Sequence, residues 1–208
     1  RDTPYADVEL ETTYDYNPDK ANQLLDEAGW VMNESTGIRE KDGEPLNLLL
    51  TLESDYSATS MPTAEVIKSQ LAEVGIDVTI YGTEQMQWYA DYLEGKFDLT
   101  LWHSQFAFAS PHCWFTPMDS MVPQTPSLPG IEGSDEFLAT IKELTNMVDE
   151  QEVRDTYTYL FNFDIGTVLD IPLTYQKDMI VYNTDKISGY TFTGTPYFFD
   201  ILSLEPAE

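Results

Sequence analysis

Few side chains in this sequence have chemistry to offer. His103 and His112 are its two histidines, and Cys113, beside His112, is its one cysteine. A thiolate and an imidazole are ligands for a soft or borderline metal. Adjacent residues seldom reach one ion with both side chains, however, and no second histidine at i+4 or carboxylate cluster at ligand spacing completes a set. A metal held by protein groups alone is therefore not expected, and a surface or pocket-wall histidine beside a partly buried thiol is the plainer reading. Cys113 with His103 is the available thiol and base, yet no nucleophile elbow or cysteine-protease signature surrounds them. With 37 Asp+Glu in the chain, paired carboxylates arise by chance, so a glycosidase-like pair cannot be argued. No GxGxxG or P-loop is present to cradle phosphate.

Aromatic side chains are the one enriched functional type: 13 Tyr, 10 Phe and 4 Trp. Most belong to a core, because aromatics at helical or strand spacing usually do. Those between Ser104 and Gly133 have no such spacing. Five prolines, Pro111, Pro117, Pro123, Pro126 and Pro129, interrupt a stretch that also carries Phe106, Phe108, Trp114, Phe115, Met118 and Met121. A loop of that length in a compact domain is more often a binding surface than a connector. The segment 190–199 is aromatic and irregular in the same way.

Regular elements must hold that loop in place. Asn17-Pro18 opens a helix that ends at Ala28-Gly29, with a capping Asn, Pro in the first helical position and Ala21, Leu24, Leu25 and Ala28 on one face. Lys41-Asp42-Gly43-Glu44 is a turn. Leu46 to Leu52 reads as a buried strand, and Met61 to Val74 as a helix with Ala64, Ile67, Leu71 and Val74 inward. Ile76, Val78 and Ile80 alternate as the next strand, and Thr83 is expected to cap a helix whose apolar face is Met86, Tyr89 and Leu93. Phe97 to Trp102 follows as a strand, with His103 at its end. This alternation is that of an α/β layer with crossover helices on a sheet. Beyond the loop, Ser134 to Val148 and Gln151 to Ile165 read as helices, the first with Phe137, Ile141, Leu144 and Val148 on one face. Ile171–Tyr175 and Met179–Asn183 read as two strands, the first at an edge because of Pro172.

Composition bounds the partners. The 208 residues carry a formal net charge of -27, with a pI near 4.1, spread over both halves of the chain. Such a surface repels a phosphate backbone, so nucleic acid is excluded as a partner. The 42% hydrophobic content is ample for a core, and no apolar run reaches the ~18 residues of a membrane span. The chain opens with Arg1-Asp2-Thr3-Pro4 and shows no secretory segment there, so it is expected to be a piece of a longer protein.

Several stretches resemble the bacterial extracellular solute-binding proteins of family 5, the nickel-, dipeptide- and oligopeptide-binding components of ABC importers. They are Pro4-Tyr5-Ala6-Asp7, Tyr16-Asn17-Pro18-Asp19-Lys20-Ala21 running into Leu24-Leu25-Asp26-Glu27-Ala28-Gly29-Trp30, Ile38 to Leu46, Val74-Gly75-Ile76-Asp77-Val78 and Gly95-Lys96-Phe97-Asp98-Leu99. Pro-Tyr-Ala-Asp and Ile-Arg-Glu-Lys-Asp-Gly are most similar to the nickel-binding branch. The resemblance implies an α/β, periplasmic-binding-protein-like lobe with a mixed sheet flanked by helices. Residues 1–208 would be the C-terminal lobe of a two-lobed receptor, with 1–16 and 184–208 leading from and back to an absent N-terminal lobe. It further implies no catalysis and no intrinsic cofactor, nickel or a nickel chelate as transported ligand, an ABC-importer permease as partner, and a periplasmic or extracellular place, with a lipid anchor on the full-length protein allowed. Tyr89, His103, Gln105 and Phe106 would lie near ligand, with His112 close by and Thr195 approaching the cleft.

One departure bears on the ligand. The nickel branch places a histidine after a Met-x-Val-Pro stretch, whereas here Met121-Val122-Pro123 continues as Gln124-Thr125-Pro126. His103 or His112 would then have to substitute, or a small organic chelator would supply most of the metal's ligands. A dipeptide or oligopeptide receptor is the alternative within the family, and a Cys113 hydrolase or an adhesion module the alternatives outside it.

Overall fold

In a computed structural model of the chain, the described residues are 5, 7–103, 111–115, 128–174, 179–192 and 200–207, the side chain of Trp114 excepted. They fall into two compact units, Thr13–His103 with Ser120–Ser134, and Arg1–Thr12 with Ser104–Asp119 and Asp135–Glu208.

The first unit begins with helix α1, Pro18–Glu27. Asn17 caps it as its residue type demands, the side chain accepting from the Lys20 N–H at 2.9 Å. No residue of α1 is buried, and Leu24, expected to face inward, is 51% exposed. Three short strands, β1 (Val31–Asn33), β2 (Ile38–Lys41) and β3 (Glu44–Pro45), form an antiparallel sheet that the sequence pattern did not reveal beyond its tight turn. That turn has φ of 56° at Asp42 and 87° at Gly43, the left-handed pair that Asp-Gly tolerates. Arg39, only 3% exposed, fastens the region, donating to the carbonyls of Val74 and Trp30 and to Asn22 and Asp26.

The centre of the unit is a parallel sheet, order β5-β4-β6, of β4 (Asn47–Glu53), β5 (Asp77–Thr83) and β6 (Leu99–Leu101). Leu50 stands opposite Ile80 on one side and Leu99 on the other. Helix α2, Ser60–Ala72, connects β4 to β5 and covers one face, where Leu50, Leu52, Ala64 and Val78 are buried among Ile67, Leu71 and Ile76. Gly75 ends the connection at φ +82; a Cβ there would meet the Met32 methyl at 2.6 Å and Arg39 Cγ at 2.9 Å, so only glycine fits. The α/β layering is that expected, with parallel and antiparallel pairings in separate sheets.

Helix α3, Gln85–Leu93, packs by a different face from the one its sequence suggested. Trp88, Asp91 and Tyr92 are buried, whereas Met86 is 74% and Leu93 37% exposed. The cause is aromatic: the indole N–H of Trp88 donates to Thr100 Oγ1 at 3.2 Å, and the rings of Trp88, Tyr92 and Trp102 lie within 5.9 Å of one another. These contacts bury more area than a methionine would and give the indole its partner. Nor does Thr83 cap α3: it closes β5, and Glu84 stands at the cap without a side-chain bond.

In the second unit, α4 (His112–Phe115), α5 (Ser134–Leu144) and α6 (Glu150–Gly166) pack around aromatic rings. Phe115 is fully buried, edge-on to Phe137 and Phe161 at 6.0 and 5.2 Å. Asp149 caps α6, accepting from the N–H groups of Gln151 and Glu152. The amino-terminal segment is strapped to α6 by Arg154 with Asp7 and by Asn162 with Glu9 and Glu11. The expected Val148 lies beyond α5 and is 98% exposed.

Residues 171–174 and 179–183, expected as strands, form no ladder among the described residues, and Met179 and Val181, 90% and 95% exposed, stand on either side of half-buried Ile180. Strand-forming residue types do not supply the neighbour a strand must pair with. Instead β7 (Ile187–Tyr190) pairs antiparallel with β8 (Leu204–Pro206).

Candidate functional site

Because β5 and β6 flank β4 on opposite sides, the connection leaving β4 goes one way and the strand returning from α3 comes in on the other. In open parallel sheets the loops at the carboxyl ends of such strands diverge, and the crevice between them is where ligands bind. In this unit the segments concerned are the residues after β4, Ser54 to Thr59, and those after β6, Trp102 and His103.

Trp102 and His103, the two residues after β6, pack against different elements. Trp102, 39% exposed, joins the α3 aromatics, with Tyr89 stacked on Tyr92 at 6.4 Å and Phe97 on Tyr92 at 5.4 Å. His103 lies on the α2 side. Its ring stacks on Tyr56 with centroids 4.0 Å apart and 18° between planes, and its Nε2 lies 3.2 Å from Ser60 Oγ. Ser60 opens α2 and is 2% exposed. Burial lowers the pKa of His103 below its ordinary value, so the imidazole is neutral at pH 7. This rim therefore offers a neutral, oriented nitrogen base, aromatic faces and hydroxyls.

Of the six residues expected near ligand, Tyr89 and His103 stand in this unit, Tyr89 half-buried on α3. His112 belongs to the other unit, where it opens the four-residue α4 beside the exposed thiol of Cys113. Gln105, Phe106 and Thr195 lie outside the described residues. Sequence reasoning missed Tyr56 and Ser60, which approach His103 only through the fold; their position directly after a parallel strand was the one available signal. Among the described residues no group of three His, Cys, Asp or Glu could hold a metal, and no helix is long and apolar enough to cross a membrane. A shallow depression between α5 and α6, lined by Glu136, Asp149, Glu152, Asp155 and Tyr159, contains none of the expected residues.

The model of the bacterial extracellular solute-binding proteins, family 5 Middle, matches residues 1–125, and the chain belongs to this family. Among individual proteins it is similar to the nickel-binding periplasmic protein of Escherichia coli (strain K12), 28% identical over 181 residues, 86% of this chain and 34% of that protein. The oligopeptide-binding protein OppA of Lactococcus lactis subsp. lactis (strain IL1403) is 42% identical over 69 residues, 33% of this chain and 11% of that one. In three dimensions the chain is similar to NikA from Brucella suis, solved in complex with Fe(III)-EDTA, with a TM-score of 0.88 and 29% identity over 99% of this chain and 41% of that one. The chain thus spans about a third of the nickel-binding relative's length.

Proposed function

We propose that this chain is the ligand-binding C-terminal lobe of an extracellular receptor that delivers nickel, free or chelated, to an ABC-importer permease. The observation that carries the reading is the similarity to the nickel-binding periplasmic protein over 86% of the chain. Residues 1–16 and 184–208 lead from and back to the lobe that completes the cleft, and closure of the two lobes around ligand does the work of capture. Tyr89, His103, Gln105 and Phe106 line this lobe's share of the cleft, with His112 and Thr195 nearby. No catalytic step is involved, and the receptor acts in the periplasm or outside the cell.

The second reading, a dipeptide or oligopeptide receptor, is favoured by the 42% identity to OppA over 69 residues and by the glutamine that follows Met121-Val122-Pro123. An extended peptide would need backbone pairing and an anchor for its termini. Titration calorimetry on the full-length protein separates the readings, with nickel chloride, nickel plus L-histidine and a short-peptide mixture in separate runs. Heat only when nickel is present supports the first reading; heat from peptide alone replaces it with the second.

A further inference from the structure

Tyr5 and residues 7–11 lie along α6 without entering the core that it covers. None of them is buried: Tyr5 and Val8 are half-buried, and Asp7, Glu9, Leu10 and Glu11 are exposed. Beneath them Tyr157 is 4% exposed, and Leu160, Phe115 and Phe137 are fully buried.

The segment is held from one stripe of the helix. Arg154, Thr158 and Asn162 recur every four residues and so share a face. The guanidinium of Arg154 donates to Asp7 Oδ1 at 2.9 Å and lies 5.5 Å over the Tyr5 ring, which itself packs on Tyr157 at 4.7 Å. Two turns further on, the Asn162 amide is fully used. Its Nδ2 donates to the carbonyls of Thr158 and Glu9 at 2.9 and 3.2 Å, and its Oδ1 accepts the Glu11 N–H at 2.7 Å. Two carbonyls on one side and an N–H on the other admit a single orientation of that amide. Asn162 thus stands in for the neighbouring strand that residues 9 and 11 lack among the described residues.

These holds are specific but weak. The Asp7 and Arg154 side chains are 74% and 36% exposed, where water screens an ion pair. Tyr5 sits at φ 63°, a left-handed backbone that costs free energy in a residue other than glycine. A segment with few buried contacts and a strained turn belongs to the low end of local stability.

We propose that Tyr5 and residues 7–11 form a strap that leaves α6 as a single piece while the aromatic core beneath stays folded, with Arg154 and Asn162 as its two catches. On the receptor reading, residues 1–16 lead in from the other lobe, so the docked strap fixes the end of that passage on α6 and its release frees it.

Amide hydrogen exchange on the full-length protein tests the strap. In the wild type the Val8 N–H, bonded to the Tyr5 carbonyl, and the Glu11 N–H, bonded to Asn162, should show equal protection, at least about 100-fold below that of Leu160 in α6. Low urea should leave their opening nearly unchanged while raising that of Leu160, because release of a surface strap exposes little area. Arg154→Ala, remote from the Glu11 bond, should speed exchange at Val8 and Glu11 by the same factor, about 3–30-fold, for loss of an exposed ion pair and a cation–π contact. Asn162→Ala should carry to Val8 in the same way. The wild-type comparison stands alone should a variant fold poorly. Val8 and Glu11 as well protected as Leu160 would mean that the strap opens only with the whole fold, and a response confined to the amide beside each substitution would mean separate fraying; either result overturns the proposal. Exchange is read without ligand, so failure of the receptor reading, seen by calorimetry, is distinguishable from failure of the strap.

Discussion

Asp170 follows α6 closely enough for its carboxyl to hydrogen-bond that of Asp164, which is 4% exposed. Val168, at φ 57°, makes the reversal between them, an uncommon backbone for a β-branched residue. Burial pushes the Asp170 pKa up from 3.8 to about 6. The folded state therefore keeps a proton that the unfolded chain has released between those two values, so the pair's contribution to stability is present in acid and lost as pH rises through about 6. Asp170→Asn keeps the neutral form at every pH. Its gain in melting temperature over the wild type is expected to be larger at neutral pH than at about pH 4.5, and an equal effect at both would contradict this account. Residue-scale features of this kind are hard to see in a sequence. His103 was legible because it is one of two histidines and follows a buried strand, but Ser60 lies 43 residues away and nothing local links the two.

Elements were more legible where chemistry marks both ends or where one apolar face dominates. The Asn17 cap and the Ala64, Ile67, Leu71 stripe are in place for those reasons. Helix α3 was placed correctly but turned wrongly, because a short helix with apolar residues all round has no unique face and the choice falls to what the sheet offers, here Thr100 and Trp102. Trp88→Ala is accordingly expected to cost about 3–5 kcal/mol, whereas Met86→Ala should stay within about 0.5 kcal/mol. Denaturant midpoints measure both, and similar losses for the two would restore the face first read from the sequence. The segments 171–174 and 179–183 failed differently: pairing is a property of two segments, and none of the described residues pairs with them.

At the scale of the whole molecule, a net charge of -27 opposes compaction, since like charges are brought together on folding. Screening relieves this, the Debye length falling from about 30 Å at 0.01 M salt to about 3 Å at 1 M. The melting temperature should rise with sodium chloride across that range, and a flat or falling curve would show that local ion pairs outweigh the net charge. Family membership was legible from local motifs such as Tyr16–Trp30, and the α/β layer from end-marked helices and buried strands, whereas the ligand was not, because the residues around His103 come together only through the fold. The most direct test is anomalous diffraction at the nickel edge from crystals of the full-length protein grown with nickel and L-histidine. The account predicts a metal peak in the cleft beside the rim that carries Tyr89 and His103. A peak elsewhere, or extended peptide density without one, would contradict it.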